Sequence, residues 1–172
     1  AQSCGVSTAL KHFPGHGSSI ADTHKGFVDV TQTWRADELD PYLKLIQSGH
    51  APSIMTAHIS HKGLDPHYPA SLSYAVVNNL LRKRLAYQGL IVTDDLVMKA
   101  IADNYGMAEA AILALQSGSD MLMISTPVDS KPGLASEIRE AILAAVDMGQ
   151  LPWERVIEAY NKITQARLQI AR

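Results

Sequence analysis

The chain has 172 residues, 47% of them hydrophobic, and a formal net charge of −2 from 15 basic and 17 acidic side chains. This is one ordinary domain or a piece of a larger one, apolar enough to bury a core, and its scattered, nearly balanced charge excludes a phosphate-backbone binder. No apolar run reaches the roughly 20 residues that span a bilayer, the opening AQSCGVSTAL lacks the basic end and apolar core of a signal peptide, and the lone Cys4 excludes an internal disulfide framework and a cysteine-based zinc site.

In chain order, short apolar runs alternate with longer helical patterns. VSTALKHF (Val6 to Phe13) reads as a strand buried on both faces. Residues Gly15 to Ala36 then show neither a helical nor a strand pattern. In ADELDPYLKLIQSG the apolar positions Leu39, Leu43 and Ile46 predict a helix that Gly49 stops. SIMTAHIS (Ser53 to Ser60) is the second strand. SYAVVNNLLRKRLAYQG is the next helix, with Ser73 as cap, Val76, Val77, Leu80 and Leu81 as its buried face, and Gly89 closing the unit. GLIVTDD (Gly89 to Asp95) is the third strand, MAEAAILALQSG a helix ended by Gly118, and SDMLMIS (Ser119 to Ser125) the fourth strand. Two helices follow, Leu134 to Met148 and Trp153 to Ile170, the second with Pro152 at its start.

Four β-loop-α units in succession predict an α/β fold, a parallel sheet covered by helices. A small doubly wound sheet and half of a TIM-like (β/α)8 barrel compete. A whole barrel takes roughly 250 residues, so residues 1–172 would form a single partial domain. Connections entering the strands are short, and those leaving the C-terminal ends are long. Unpatterned loops beyond about 12–15 residues in a compact domain are functional or disordered, and both architectures put their sites at the strands' C-terminal ends.

Chemistry concentrates at two places on that face. The first is KHFPGHGSSIADTH, Lys11 to His24. Lys11 and His12 end a strand, Gly15 and Gly17 allow close backbone approach, and Asp22 with His24 can form a carboxylate–imidazole pair. Such a pair is a general acid/base for neutral pH, because imidazole titrates near about 6.5. The second is TDD, Thr93 to Asp95. A carboxylate closing a run as apolar as GLIV is costly to bury alone, and neighbouring strand residues point to opposite faces, so only one of Asp94 and Asp95 faces the pocket. The other would cap the next segment of chain.

The remaining histidines divide by position. His58 can line the same pocket, His61 and His67 lie in the loop beyond it, and His50 belongs to the opposite face. HFPGH cannot present both rings on one helical face, because it contains Pro and Gly. A metal site from His12, His16, Asp22, His24 or His58 stays open as an alternative. DPHYP (Asp65 to Pro69) reads as a turn, and no Gly-Lys-Ser/Thr follows the glycines as a phosphate loop requires.

Together, KHFPGHGSSIADTH and a strand ending TDD resemble the β-N-acetylglucosaminidases of bacterial glycoside hydrolase family 3, from about Ser7 to the helix after DMLMIS. The resemblance implies a TIM-like barrel with these strands as its second half, and retaining hydrolysis of terminal β-linked N-acetylglucosamine from peptidoglycan-derived saccharides without a cofactor. It implies His24 as general acid/base with Asp22 as its partner, Asp94 as nucleophile, and Lys11 and His12 as ligands of the sugar hydroxyls; His58, by its own position at the end of the second strand, is expected as a further substrate contact. A retaining enzyme of this kind replaces the usual second carboxylate with the imidazole pair. An acid carried on a loop can also arrive after the sugar binds.

In the family, the first barrel half precedes this motif and supplies an aspartate and an arginine for the sugar. That half is therefore expected in the parent chain, and the activity of this segment alone is doubtful; the first residue, Ala1 rather than Met, suggests truncation or processing. Alternatives are a phosphorylase of the same family, a metal-dependent hydrolase using the histidine cluster, and a non-catalytic sugar-binding module. A carbohydrate is the expected partner in each sugar-directed reading, with neither nucleic acid nor membrane. The compartment, cytoplasm or periplasm, stays open.

Overall fold

The structure, a computed structural model, describes residues 6–125 and 133–170. Its main sheet has four parallel strands, β1 (Ala9–Phe13), β3 (Ser53–Thr56), β5 (Leu90–Asp95) and β6 (Met121–Met123), hydrogen-bonded in that order. A second, two-stranded parallel ribbon joins β2 (Val28–Asp29) to β4 (Ile59–Ser60). Around them lie α1 (Asp40–Gln47), a π-helix (Ala75–Arg84), α2 (Lys99–Ala102), α3 (Met107–Ser117), α4 (Leu134–Asp147) and α5 (Trp153–Ile170). Strands that neighbour one another in sequence order without a reversal are those of a barrel segment. A doubly wound sheet would change direction at a switch point. The architecture is that of a partial TIM-like barrel.

Local signals explain most elements. Ser73 Oγ accepts the Val76 N–H at 3.1 Å and starts the π-helix. All four residues of its expected apolar face, Val76, Val77, Leu80 and Leu81, are buried. The helix closes with a Leu85 N–H to Leu80 carbonyl bond, an i→i+5 link. Positions 76, 77, 80 and 81 recur at four and five, so they suit this winding as well as an α-helix. Gly118 ends α3 in the left-handed region at φ 111°. Gly89 is required by lack of space, since a β-carbon there would collide with the Tyr87 phenol and stand 2.8 Å from the Pro52 carbonyl oxygen.

Three expectations need correction. The run Ser53 to Ser60 is not one strand. It leaves the main sheet after Thr56, and Ile59–Ser60 turns to pair with Val28–Asp29. Ile59 is fully buried, so the apolar pattern continues across the break and conceals it. For the same reason the stretch Gly15 to Ala36 is not wholly without strand. Its two paired residues are set by a partner distant in sequence. The first strand also starts at Ala9 rather than Val6.

At the N-terminal end of the sheet, Asp120 ties three elements together. Its side chain is fully buried and accepts from the Ile91 N–H at 2.9 Å, from Arg155 Nη2 at 2.8 Å and from Arg82 Nη2. Arg155 also donates to the Leu115 and Ser119 carbonyls, docking α5 beneath the strands. Removing one member of a buried ion pair leaves uncompensated charge and costs about 3–5 kcal/mol. Asp120→Ala should therefore lower stability by about that amount, read from the urea midpoint of the intact protein.

Candidate active site at the C-terminal ends of the strands

Lys11 and His12 end β1, His58 follows β3, and Asp94 and Asp95 end β5, so the parallel sheet delivers all five to one face. The Lys11–His12 and Phe13–Pro14 peptide bonds are both cis. His12 Nε2 lies 3.7 Å from Asp94 Oδ2, too long for a hydrogen bond. Burial lowers the His12 pKa, with the charges of Lys11, His16 and His24 adding to that and Asp94 opposing it. His12 is thus a neutral ring at pH 7, within the fields of both Asp94 and His24.

The two aspartates have different surroundings. Asp94 is buried, and its Oδ1 accepts the Asp95 N–H at 2.8 Å. Asp95 Oδ1 accepts the N–H groups of Val97 at 3.2 Å and Ser125 at 2.9 Å. Partial burial would raise the Asp95 pKa, but the bonds from Ser125 and Val97 outweigh it and hold the carboxyl below the usual range. Asp95 therefore shapes the turn after β5 and links it to the residue beyond β6. Asp94 keeps one oxygen turned toward His12.

His58 departs from the expectation that it contacts substrate. Its ring is 1% exposed, with Nδ1 2.7 Å from Ser71 Oγ and Nε2 2.9 Å from the Asp95 carbonyl. A carbonyl can only accept, so Nε2 carries the hydrogen and Nδ1 accepts from the serine hydroxyl. Both nitrogens are committed, and the ring braces the backbone at Asp95 rather than lining open space. Ser71 gives no signal in the sequence, because its role depends on a contact between separate loops.

The loop after β1 carries the other pair. Asp22 Oδ1 accepts from the His24 N–H at 2.9 Å and from His24 Nδ1 at 2.8 Å. These bonds, the backbone one first, lower the Asp22 pKa. Donation by Nδ1 leaves Nε2 as the ring nitrogen not bonded to Asp22, and both side chains are exposed, His24 by 75% and Asp22 by 50%. Gly15 makes the tight exit from β1. Its φ is 125°, and a β-carbon would come within 2.6 Å of Glu38 Oε2.

The other histidines are placed apart. His61 Nδ1 accepts from the Gly63 and Leu64 N–H groups, and its ring meets Trp34 edge-on at 5.0 Å. Asp65 caps its turn through the His67 and Tyr68 N–H groups. His50 is exposed beside Ser48 on the opposite face. Among the described residues, no three His, Cys, Asp or Glu side chains converge as a metal-ligand set. His16 faces Thr23, His24 faces Asp22 and His58 faces Ser71, while His12 lies near His16 and Asp94, so among the described residues the candidates do not meet as one ligand set.

Burial lowers the His58 pKa in spite of the Asp95 carbonyl and the two aspartate charges. Below its ordinary value of 6.5 the unfolded chain takes up a proton that the folded ring resists. Its stabilisation is full above that pH and is lost as pH falls toward the folded value. Urea midpoints should therefore drop on acidification from 6.5, and His58→Gln should flatten that dependence.

The family described as "Glycosyl hydrolase family 3 N terminal domain" matches residues 1–166. The chain is 34% identical over 172 residues to a "Beta-hexosaminidase" of Nitrosomonas eutropha, covering 95% of this chain and 47% of that protein. It is 36% identical over 160 residues to "Beta-hexosaminidase LpqI" of Mycobacterium bovis, covering 88% of this chain and 39% of that one. Among solved structures, a glycoside hydrolase family 3 β-N-acetylglucosaminidase from Paenibacillus sp. superposes with a TM-score of 0.89 at 34% identity, over 99% of this chain and 32% of its own. The chain thus spans less than half the length of each of these relatives.

Proposed function

The chain belongs to glycosyl hydrolase family 3, matched over residues 1–166, and on that footing we propose that its protein is a retaining exo-β-N-acetylglucosaminidase acting on peptidoglycan-derived saccharides. Protonated His24 donates from Nε2 to the glycosidic oxygen, while an Asp94 oxygen attacks the anomeric carbon and the sugar–oxygen bond breaks. The leaving sugar departs as an alcohol, and the first sugar is held as an ester of Asp94. Neutral His24 then takes a proton from water, whose oxygen attacks the anomeric carbon and frees Asp94. Two inversions retain the configuration.

Asp22 accepts from His24 Nδ1 and so holds the ring with Nε2 turned to the substrate. Lys11 and His12 bind ring hydroxyls. Neutral His12 offers a donor or acceptor without pairing off the Asp94 charge, and the 3.7 Å gap between them leaves both free for substrate.

The observation that carries this reading is the division of labour between the carboxylates. Asp22 is bonded to an exposed imidazole at 2.8 Å, and Asp95 is occupied by two backbone donors while Asp94 Oδ2 has no hydrogen-bond partner among the described residues. The similarity to proteins named beta-hexosaminidase supports the substrate class. The missing sugar ligands are expected from the part of the barrel outside these residues.

Covalent trapping tests it. The intact protein, treated with a slow fluorinated N-acetylglucosamine analogue and digested, should carry the label on the peptide containing Asp94, at that residue. A label on Asp95 would reverse the assignment of the two carboxylates, and turnover with no covalent adduct would remove the retaining mechanism. His24→Ala should reduce hydrolysis of a saccharide substrate about 10²–10⁴-fold.

A further inference from the structure

On the hydrolase reading above, we propose that Thr23 is a positioning residue that fixes the tip of the acid/base loop, its hydroxyl fastening the tip to His16 at the exit of β1 and its carbonyl resting on the segment after the nucleophile strand. Its burial is opposite to that of its neighbours. Thr23 is 3% exposed, whereas the Asp22 and His24 side chains on either side are 50% and 75% exposed. A threonine held inside between two exposed, charged residues turns the loop so that both members of the pair point outward together.

Two contacts hold it. The Thr23 carbonyl accepts the Ala100 N–H at 3.4 Å, and its hydroxyl meets His16 Nε2 at 3.4 Å. Ala100 is itself buried in α2, joined to Asp95 by a short, bonded turn. In that turn Val97 N–H donates to Asp95 Oδ1, Met98 N–H to the Asp95 carbonyl, and Ile101 N–H to the Met98 carbonyl. The place of Asp94 is therefore transmitted to Ala100 through few freely rotating bonds. His16 leads the other way, its ring 6.0 Å from that of His12. Thr23 thus stands between the ends of β1 and β5, the two strands that present Lys11, His12 and Asp94.

Both contacts are at the long end of hydrogen-bond range. They act as a latch that yields rather than a fixed clamp. The loop can open to admit a sugar while its closed position stays defined, which the distance between acid and nucleophile requires.

The effect to look for is selective for leaving-group protonation. In the intact protein, kcat/KM is compared for N,N′-diacetylchitobiose, whose departing sugar needs a proton, and for 2,4-dinitrophenyl N-acetylglucosaminide, whose phenolate does not. Thr23→Val keeps the shape and removes the hydroxyl. It should lower kcat/KM for the disaccharide roughly tenfold, a fraction of the 10²–10⁴-fold that a general acid supplies, and leave the aryl substrate within about twofold. Thr23→Ser should restore the disaccharide rate. If the valine variant fails to fold, His16→Phe removes the nitrogen facing the hydroxyl and should shift the same ratio in the same direction.

Equal losses on both substrates, or no loss on either, would reject the positioning role while leaving the hydrolase reading intact. A wild-type protein that cleaves neither substrate would remove both.

Discussion

Asp94 and Asp95 are adjacent on a strand, so their side chains leave the backbone on opposite sides. Two carboxylates at the end of a buried parallel strand pose a solvation problem on both faces at once. The fold gives each a different answer. Asp95 receives two backbone N–H donors and has its carbonyl held by His58, so its charge is spent locally in shaping the turn. Asp94 receives one backbone donor and stands near a ring that burial keeps neutral. Its second oxygen has His12 as its neighbour among the described residues. On the proposed reading a fixed cation at this oxygen would quench the nucleophile, and a neutral imidazole at 3.7 Å avoids that.

The histidines divide by solvent exposure into two chemical kinds. His58 is withdrawn from water and His12 partly so, and burial is the largest influence on each, lowering its pKa. His58 serves as a neutral hydrogen-bonding group. His24 is exposed, and its Nδ1 is tied to a carboxylate that stays ionised. A proton can reach and leave its Nε2 through solvent. On the proposed reading this is the requirement of the acid/base role, since the ring must be recharged between turnovers. A buried ring with two committed nitrogens, as in His58, cannot exchange protons without breaking its bonds to Ser71 or Asp95.

Much of this is legible in the sequence because it rests on local physics. The alternation of strands and helices, the Ser73 cap, the Gly118 stop and the Asp65 turn each arise from residues within a few positions of one another. The opposed directions of Asp94 and Asp95 come from strand geometry, and the Asp22–His24 bond from a spacing of two. The features that stay hidden depend on pairings between distant segments. Ile59 and Ser60 look like a continuation of β3, because burial in either sheet demands the same apolar character. His58 looks like a pocket residue, because its position after a strand is right and only the packing of Ser71 and Asp95 around it fills the ring. Thr23 is an ordinary polar residue by composition, and its burial is a property of the folded loop alone.

The loop after β1 shows how an irregular segment can still be placed. It has little internal secondary structure, so its course must come from anchors at a few points. Gly15 supplies the sharp exit, with the Glu38 side chain filling the space a β-carbon would need. Glu38 also accepts from Ser18 Oγ, holding the first arm against the turn that leads into α1. Trp34 Nε1 donates to the Pro14 carbonyl at 3.1 Å, and Val28–Asp29 joins β4 in the small ribbon, which fix the returning arm. Between these anchors Thr23 is the residue that is buried as a whole. The ends of the loop are thus set by the barrel wall, and on the proposed reading Thr23 places its middle through two long hydrogen bonds. On that same reading, an acid that must reach a bond between two sugars and then clear the way for water is well served by a support that is defined in place and weak in strength.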